Sequence, residues 1–393
     1  MRPRTDTLPA TLGARLADAV ERLDRLELRD AFNPAAPAAL LAAGLHLAPV
    51  PVEAGGLGIG PSEAVELLAA IGAVDGSTAL GFAMHVHVVG AMVDSPGWPA
   101  GQREAIYAAI RDEGALLNAA ATEDSGGSPA RGAIPETTAS PTGDGQFRLT
   151  GEKSWTTWLP ALRLALVSAR IDGPVAGPPE VAVFVVDLES PGVTRLPGFD
   201  ALGMRGSASG RLRLERVLVP EDRMVARRPA DRPDPRGLGA GAWFGLAMAG
   251  VYLGIGEGAR RNVVRWAVDR RPGDGSTAVA DLPTVQVRLG RLDAALRSAR
   301  IVVQDVARRW EAAPPSERGG LIPDIALAKL TATNAAAAAT DEALRIAGGP
   351  GFLEGRLERA FRDARAGLIN PPLDDVALAG FARVLVERQR AGG

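Results

Sequence analysis

The sequence predicts an α+β protein with an N-terminal helical domain, a middle antiparallel β domain and a C-terminal four-helix bundle. Apolar residues recur at helical spacing early in the chain, short β-forming runs between turn residues follow, and long helical segments return from Trp243 onward. We place the domain boundaries at residues 1–118, 119–228 and 229–393. This order of elements is uncommon, and it restricts the fold more than the chemistry.

The N-terminal domain is predicted to be mainly helical over residues 11–118. Apolar residues three or four positions apart mark its first helix: Leu12, Leu16, Val20 and Leu23. Residues Glu63–Ile71 repeat this helical pattern. Between the two lies Pro49–Gly60, whose prolines and glycines exclude a helix interior, so we expect a loop there.

The middle domain is predicted from short runs that are rich in β-forming residues or alternate in polarity: Phe147–Thr150, Leu162–Ile171, Val181–Asp187 and Arg211–Val219. The last run begins with period-two alternation, which is typical of a strand with one solvated face in an antiparallel sheet. Turn clusters such as Thr142–Gly145 separate the runs. Residues 222–238 are rich in proline and are predicted to form a connector.

The C-terminal domain contains helical segments long enough for a four-helix bundle. They lie around residues 243–271, 284–312, 321–347 and 374–390. Two breaks separate helices in this region, one at Pro314–Pro315 and one at the glycine-rich stretch Gly348–Gly351.

The composition argues against several classes of function. The chain has 393 residues, a formal net charge of −2 and 46% hydrophobic residues, so it offers no basic footprint for nucleic acid. It has no Cys, and none of its three His has the partner spacing of a zinc ligand, so we expect no metal site. Its longest mostly apolar stretch, Gly241–Gly256, is too short and glycine-rich for a membrane span. The N-terminal residues lack the apolar core of a signal peptide, which predicts a cytoplasmic protein.

Six short strings stand out as motifs. They are residues 53–58 (EAGGLG), 122–128 (TEDSGGS), 151–157 (GEKSWTT), 202–209 (LGMRGSAS), 345–352 (RIAGGPGF) and 362–365 (RDAR). Together they resemble the acyl-CoA dehydrogenase superfamily over nearly the whole chain. The resemblance implies a homodimer or homotetramer that binds FAD.

The second and third strings have a chemistry that suits a flavin. A turn of small residues presents N–H groups and hydroxyls to the polar edge of the ring system, and a neighbouring Trp covers it. By resemblance, these residues lie along the flavin: Thr122, Ser128, Trp155 and Thr157. A second set is placed near the cofactor phosphates, often from a neighbouring subunit: Arg270, Arg345, Gly348 and Gly349. Without a cofactor, the same strings would describe a β-turn with a core Trp and a glycine run that ends a helix.

The chain departs from the family where the catalytic base is expected. Counting from the Arg-Asp pair at 362–363, the family's Glu falls at Pro371, and the position used by some relatives falls at Trp243. Neither residue is an acid, so the usual α-proton abstraction lacks its agent. Phe244 takes the place of an Arg near the thioester, and Trp158 replaces a small polar residue and is expected to narrow the pocket.

Three residues are candidates to replace this base: Asp374, Asp375 and His85. The alternative for the two acids is structural, with Asn370 as N-cap, Pro371 at the first helical position and both Asp near a positively poled helix start. For His85 the alternative is a residue that tunes a pocket or satisfies a buried partner.

Three hypotheses for function follow. The sequence favours the first, which is FAD-dependent oxidation of the CH–CH group of an acyl thioester, carried on CoA or a carrier protein, with electrons passed to a partner. The second is a flavin-dependent monooxygenase that takes reduced flavin from a separate reductase; it needs no α-proton base and suits exchangeable FMN or reduced FAD. The third is a catalytically silent flavoprotein that binds acyl carriers. No nucleic acid or membrane partner is expected.

Overall fold

The computed structural model describes residues 8–27, 30–95, 97–124, 133–173, 178–273 and 275–391. Within these ranges the chain forms a helical N-terminal region, a middle β-sheet and a helical C-terminal region, as predicted. One hydrophobic cluster runs through all three regions, and a second lies among the long C-terminal helices.

The N-terminal region consists of five helices: α1 (Ala10–Asp24), α2 (Ala35–Ala42), α3 (Pro61–Gly72), α4 (Gly76–Asp94) and α5 (Ala100–Glu113). The side chain of Asp75 caps α4 by accepting the Thr78 N–H at 2.8 Å. Nearly every residue of α4 is buried, which places this helix at the centre of the molecule.

The sheet has eight strands within the described residues: β1 (Leu117–Ala120), β2 (Thr138–Pro141), β3 (Gln146–Thr156), β4 (Leu164–Ile171), β5 (Glu180–Asp187), β6 (Val193–Leu196), β7 (Gly210–Pro220) and β8 (Met224–Pro229). Their order is β6-β7-β3-β2-β4-β5-β8, with β1 beside β4. The predicted antiparallel pairing holds except at β4, whose one edge pairs in parallel with β1 at residues 164–167 and with β2 at 170–171.

One prediction within the sheet was wrong. The predicted connector at residues 222–238 contains β8, which pairs antiparallel with β5 at the edge of the sheet. An edge strand tolerates Pro229 at its end because its outer N–H groups need no partner strand. Strands β1, β2 and β6 were not predicted, because four residues are too few to show a period.

The C-terminal region contains the four predicted helices together with two short ones. They are α6 (Gly237–Asp269), α7 (Pro283–Ala312), α8 (Ile322–Ala347), α9 (Gly349–Phe352), α10 (Arg356–Arg365) and α11 (Asp374–Ala391). Helix α6 packs so closely on α3 that only a glycine fits at position 254. A Cβ there would lie 2.3 Å from the Ala69 carbonyl oxygen. Helix α10 packs against α6 and α8, and α11 lies along α8.

Helices α4 and α6 are each long and apolar enough to cross a membrane by length and composition. The relevant windows are 94% and 78% buried inside the protein, so packing in the core accounts for their apolar character.

Candidate active site

The end of β3 presents an indole on the surface of the sheet. Trp155 has a left-handed backbone (φ 55°) and is 50% exposed, while Ser154 and Thr156 on either side are buried. Its ring stacks on Phe199 with centroids 4.3 Å apart and planes 20° apart. The Arg211 guanidinium lies 5.7 Å from the Phe199 centroid. A half-exposed indole held in this way can lie against another flat ring system.

Thr157 belongs to a row of three hydroxyls beside this indole. Thr157 Oγ1 lies 2.9 Å from Ser209 Oγ, which lies 2.9 Å from Ser207 Oγ. The Thr157 carbonyl accepts a hydrogen bond from Asn118 Nδ2 at 3.2 Å. Hydroxyls in such a row can both donate and accept.

Trp158 faces the opposite way, into the core. Its backbone is left-handed (φ 61°), its N–H donates to the Ser207 carbonyl at 2.8 Å, and its side chain is fully buried. The ring packs on Gly81 of α4, where an added Cβ would lie 2.2 Å from the indole. The residue predicted to narrow the pocket therefore joins the sheet to α4.

A buried ion pair lies beneath the same strand. Lys153, with no exposed surface, donates to Glu123 Oε1 at 2.5 Å and to Ser168 Oγ at 3.3 Å. The Glu123 carboxylate also accepts the Thr137 hydroxyl at 2.6 Å and the Glu136 N–H at 2.6 Å. Burial opposes ionisation of Glu123, but the Lys153 and Thr137 hydrogen bonds outweigh it and hold its pKa below the usual range. A cavity of about 430 Å³ is lined by Glu123 but not by Lys153.

The structure brings together three of the residues predicted to lie along the flavin. The Thr122 carbonyl accepts the Ser154 N–H at 2.8 Å, which places Thr122 beside Trp155 and Thr157. Ser128 lies outside the described residues. Two buried hydroxyls of the same strand, Ser154 Oγ and Thr156 Oγ1, have no partner among the described residues.

The residues predicted near the phosphates lie apart from this group. Arg345 is 59% exposed and pairs with Asp341 at 2.7 Å, and Arg270 is exposed at the end of α6. A Cβ at Gly348 or Gly349 would meet nothing within 4 Å in the part of the chain that is described. No contact among the described residues joins these four to Trp155 or Thr157, and their role stays a prediction.

His85 is fully buried on α4. Its Nε2–H donates to the His46 carbonyl oxygen at 2.8 Å, so Nδ1 carries the lone pair, and Nδ1 has no partner among the described residues. Burial lowers the pKa of His85 to about 4, so the ring is neutral near pH 7. His85 stacks with Phe82, which in turn lies 6.5 Å from the Trp158 ring.

Asp374 and Asp375 lie at the first turn of α11. Asp374 accepts a hydrogen bond from Asn334 at 2.7 Å, and its other oxygen lies 3.7 Å from Nζ of the buried Lys329. Asp375 is exposed. Asn370 was predicted to cap this helix, which is wrong: α11 begins at Asp374, and Asn370 donates instead to the Tyr252 hydroxyl at 3.0 Å.

Neither position of the family's base holds an acid, and the second is part of a buried network. The Trp243 ring packs on Gly90, and its Nε1–H donates to Asp94 Oδ2 at 2.7 Å. Trp310 donates to the same oxygen at 3.0 Å, and Arg318 lies 3.1 Å from Asp94 Oδ1. The network fixes the indole of Trp243 where a carboxylate was expected.

A buried carboxyl that was not predicted, Asp363, lies on α10. It is 3% exposed, and its Oδ1 accepts the Met204 N–H at 2.5 Å. Burial, reinforced by the nearby Asp75, raises the pKa of this carboxyl to about 7, although Met204, Arg359 and Arg362 act to lower it. Its only signal in the sequence is the Arg-Asp-Ala-Arg string, which does not reveal its partner.

This carboxyl predicts a pH-dependent stability. Because its folded-state pKa lies above that of an unfolded Asp, its stabilising effect is complete below about pH 4 and is lost as the pH rises through 7. We expect the melting temperature to fall by a few degrees between pH 5 and pH 8, and Asp363→Asn to remove most of that fall. The pKa values of His85 and His87 are lowered to about 4, so these two residues reduce the stability as the pH falls below about 6.5. This effect is the same in the original protein and in Asp363→Asn. Thermal melts at matched ionic strength would refute the prediction if both proteins showed the same pH dependence.

The residues at the end of β3 fit a flavin. An open indole face, a row of hydroxyls and two buried hydroxyls that have no partner in the described part of the chain supply the stacking surface and polar groups that its ring system needs. A helical region, a mixed sheet and a long helical bundle around such a strand define a three-domain flavoenzyme.

Comparison with known proteins supports this class over the whole chain. Family models match residues 6–113 (acyl-CoA dehydrogenase, N-terminal domain), 118–217 (middle domain) and 243–370 (C-terminal domain). A putative acyl-CoA dehydrogenase, YdbM from Bacillus subtilis (strain 168), is 32% identical over 86% of each chain. The chain belongs to the acyl-CoA dehydrogenase family.

Other relatives carry different names. L-evernosamine nitrososynthase from a Micromonospora species is 29% identical over 82% of this chain and 76% of its own. The structure of dibenzothiophene monooxygenase TdsC from Paenibacillus sp. A11-2, also determined with FMN, superposes with a TM-score of 0.81 at 23% identity over 94% of this chain and 95% of that one. At this identity the likeness shows the fold alone.

Proposed function

We propose that this protein is a flavin-dependent monooxygenase that uses reduced flavin and oxygen. The observation that carries the proposal is the state of the two base positions: one is Pro371, and the other is Trp243, whose indole is bound to Asp94 at 2.7 Å. Abstraction of an α-proton needs a base close to the substrate, whereas transfer of oxygen to a nucleophilic substrate does not.

The nearest acids are poorly suited to serve as that base. Asp374 is held by Asn334 and Lys329, and Asp375 is exposed to solvent. His85 is neutral and fully buried, and its Nδ1 lone pair has no partner among the described residues. In our proposal it accepts a hydrogen bond from the substrate or orients it, and Trp155 and Thr157 hold the flavin ring.

The flavin is proposed to be exchangeable, with FMN favoured over FAD. Bound reduced flavin supplies the electrons that activate oxygen, and a separate reductase regenerates it. The segment predicted near the cofactor phosphates reads Arg-Arg-Pro-Gly-Asp at residues 270–274, and Arg270 is exposed at the end of α6. The name of the L-evernosamine nitrososynthase supports a substrate with an oxidisable nitrogen.

Dehydrogenation of an acyl thioester is the second candidate. It is favoured by Asp374 Oδ1, which is buried without a hydrogen-bond partner among the described residues and lies three positions after Pro371. The relative named as a putative acyl-CoA dehydrogenase supports it as well.

One pair of experiments separates the two. Mixed anaerobically with acyl-CoA and acyl-pantetheine thioesters, the flavin-loaded protein is expected to keep its absorption near 450 nm. Supplied with a flavin reductase, NADH and oxygen, it is expected to add one oxygen atom to members of a panel of aromatic amines, amino sugars and thioethers. Bleaching by a thioester in the first experiment would refute the proposal.

Variants then test the residues. We expect Asp374→Asn and Asp375→Asn to retain oxygenation, and His85→Ala to lose most of it, about 10²-fold if the imidazole contacts the substrate. His46→Ala is the matched control, because it removes a neighbouring imidazole and leaves the carbonyl that His85 uses. Full oxygenation by His85→Ala would exclude the role proposed for it.

A further inference from the structure

Helix α10 is bonded to the turn at residues 202–209, although 159 positions separate Met204 from Asp363. The Met204 N–H donates to Asp363 Oδ1 at 2.5 Å, and Arg362 Nη1 donates to the Leu202 carbonyl at 3.2 Å. The two backbones also touch, since a Cβ at Gly203 would lie 2.4 Å from the Arg362 carbonyl oxygen. Two neighbouring residues of one helix therefore hold three consecutive residues of the turn.

The helix side of this contact is firmly anchored. Arg362 also pairs with Asp30 at 2.7 Å and with Glu358 at 2.6 Å, while Asp363 is buried. The turn at residues 202–209 needs contacts from outside itself to keep its conformation. Met204 has a left-handed backbone (φ 57°), which non-glycine residues seldom adopt without such support.

The turn continues directly into the site at the end of β3. The Met204 carbonyl accepts the Ser207 N–H at 3.0 Å, and the Ser207 carbonyl accepts the Trp158 N–H at 2.8 Å. The Ser207 and Ser209 hydroxyls then lead to Thr157 Oγ1 in two steps of 2.9 Å. A displacement of the turn would therefore move the Thr157 hydroxyl and the Trp158 backbone together.

We propose that Arg362 and Asp363 are positioning residues for the flavin, which act by holding the 202–209 turn and, through it, the Thr157 hydroxyl. This inference rests on the flavin site of the proposed function. It assigns a joint role to two strings, LGMRGSAS and RDAR, that are far apart in the sequence and touch only in the fold.

A double-mutant cycle on flavin affinity tests the inference. Asp363→Ala and Thr157→Val are each expected to weaken FMN binding about tenfold, as measured by quenching of flavin fluorescence. If Asp363 acts through Thr157, the Thr157→Val change made in Asp363→Ala should weaken binding less than twofold further. If the losses in FMN affinity of the two single variants instead multiply in the double variant, the inference is overturned. Arg362→Met allows the same cycle without opening a buried cavity, should Asp363→Ala fail to fold.

Two controls separate positioning from general damage. Asp363→Asn keeps the oxygen that accepts from Met204 and should restore FMN affinity and the visible circular dichroism of bound flavin to within twofold of the original protein. Asp293→Ala, which removes a partly exposed ion pair between α7 and Arg260 of α6, should leave both unchanged. A wild-type protein that binds neither FMN nor FAD would overturn the proposed function together with this inference, whereas wild-type binding with multiplying losses would overturn the inference alone.

Discussion

Glu123→Ala is expected to lower the free energy of unfolding by about 4 kcal/mol, because it leaves a buried ammonium without its counter-charge. Lys153 has no exposed surface, and its other contact is Ser168 Oγ at 3.3 Å. The substitution also removes the acceptor for the Glu136 and Thr137 N–H groups, at 2.6 and 3.1 Å. Urea denaturation of the two proteins measures the difference.

The matched control is Glu152→Ala, on β3 next to Lys153. Glu152 pairs with Arg213 at 3.0 Å across the surface of the sheet, where an ion pair contributes roughly 0–1 kcal/mol. A second comparison replaces both buried charges, in Glu123→Leu with Lys153→Met, and is expected to recover most of the stability because no unpaired charge remains. Equal losses for Glu123→Ala and Glu152→Ala would contradict the interpretation.

Asp94→Ala is expected to lower the free energy of unfolding by roughly 3–5 kcal/mol, because one carboxylate accepts from two buried indole N–H groups and pairs with the largely buried Arg318. Trp243 and Trp310 lose the acceptor of their indole N–H groups, and Arg318 loses its counter-ion. Asp94→Asn keeps an oxygen for the indoles and should lose about half as much. Denaturation followed by tryptophan fluorescence reports both the stability and the environment of the two rings.

Asp305→Ala is the control for Asp94→Ala. Asp305 lies on α7 in an exposed pair with Arg309 at 3.8 Å, so its loss should change stability by less than about 0.5 kcal/mol. If Asp94→Ala behaves like Asp305→Ala, the network does not stabilise the junction of α4, α6 and α7.

The amphipathic helices and the longer strands could be predicted because each shows its period over many residues. Helix α1 and strand β7 appear where Leu12–Leu23 and Arg211–Val219 predicted them. Strands of four residues, such as β1 and β2, carry too little pattern, and β8 was concealed by neighbouring prolines.

The candidate site also has one part that the sequence predicts and another that only the fold shows. Trp155 and Thr157 lie in a contiguous string that could be recognised, and the structure places them together. The partners of Trp243 and Asp363 lie 149 and 159 positions away, so only the fold reveals that these residues are bonded to Asp94 and Met204. Asn370 was misassigned because a local capping pattern says nothing of Tyr252, 118 positions away.

The chain has two lysines, Lys153 and Lys329, and neither exposes its side chain. In the folded protein neither lysine is therefore accessible to an amine-directed reagent, or to an enzyme that acetylates or ubiquitinates surface amines. Reaction at either position requires the sheet or the α8–α11 contact to open first. Covalent modification of either lysine would therefore report that this part of the protein had unfolded.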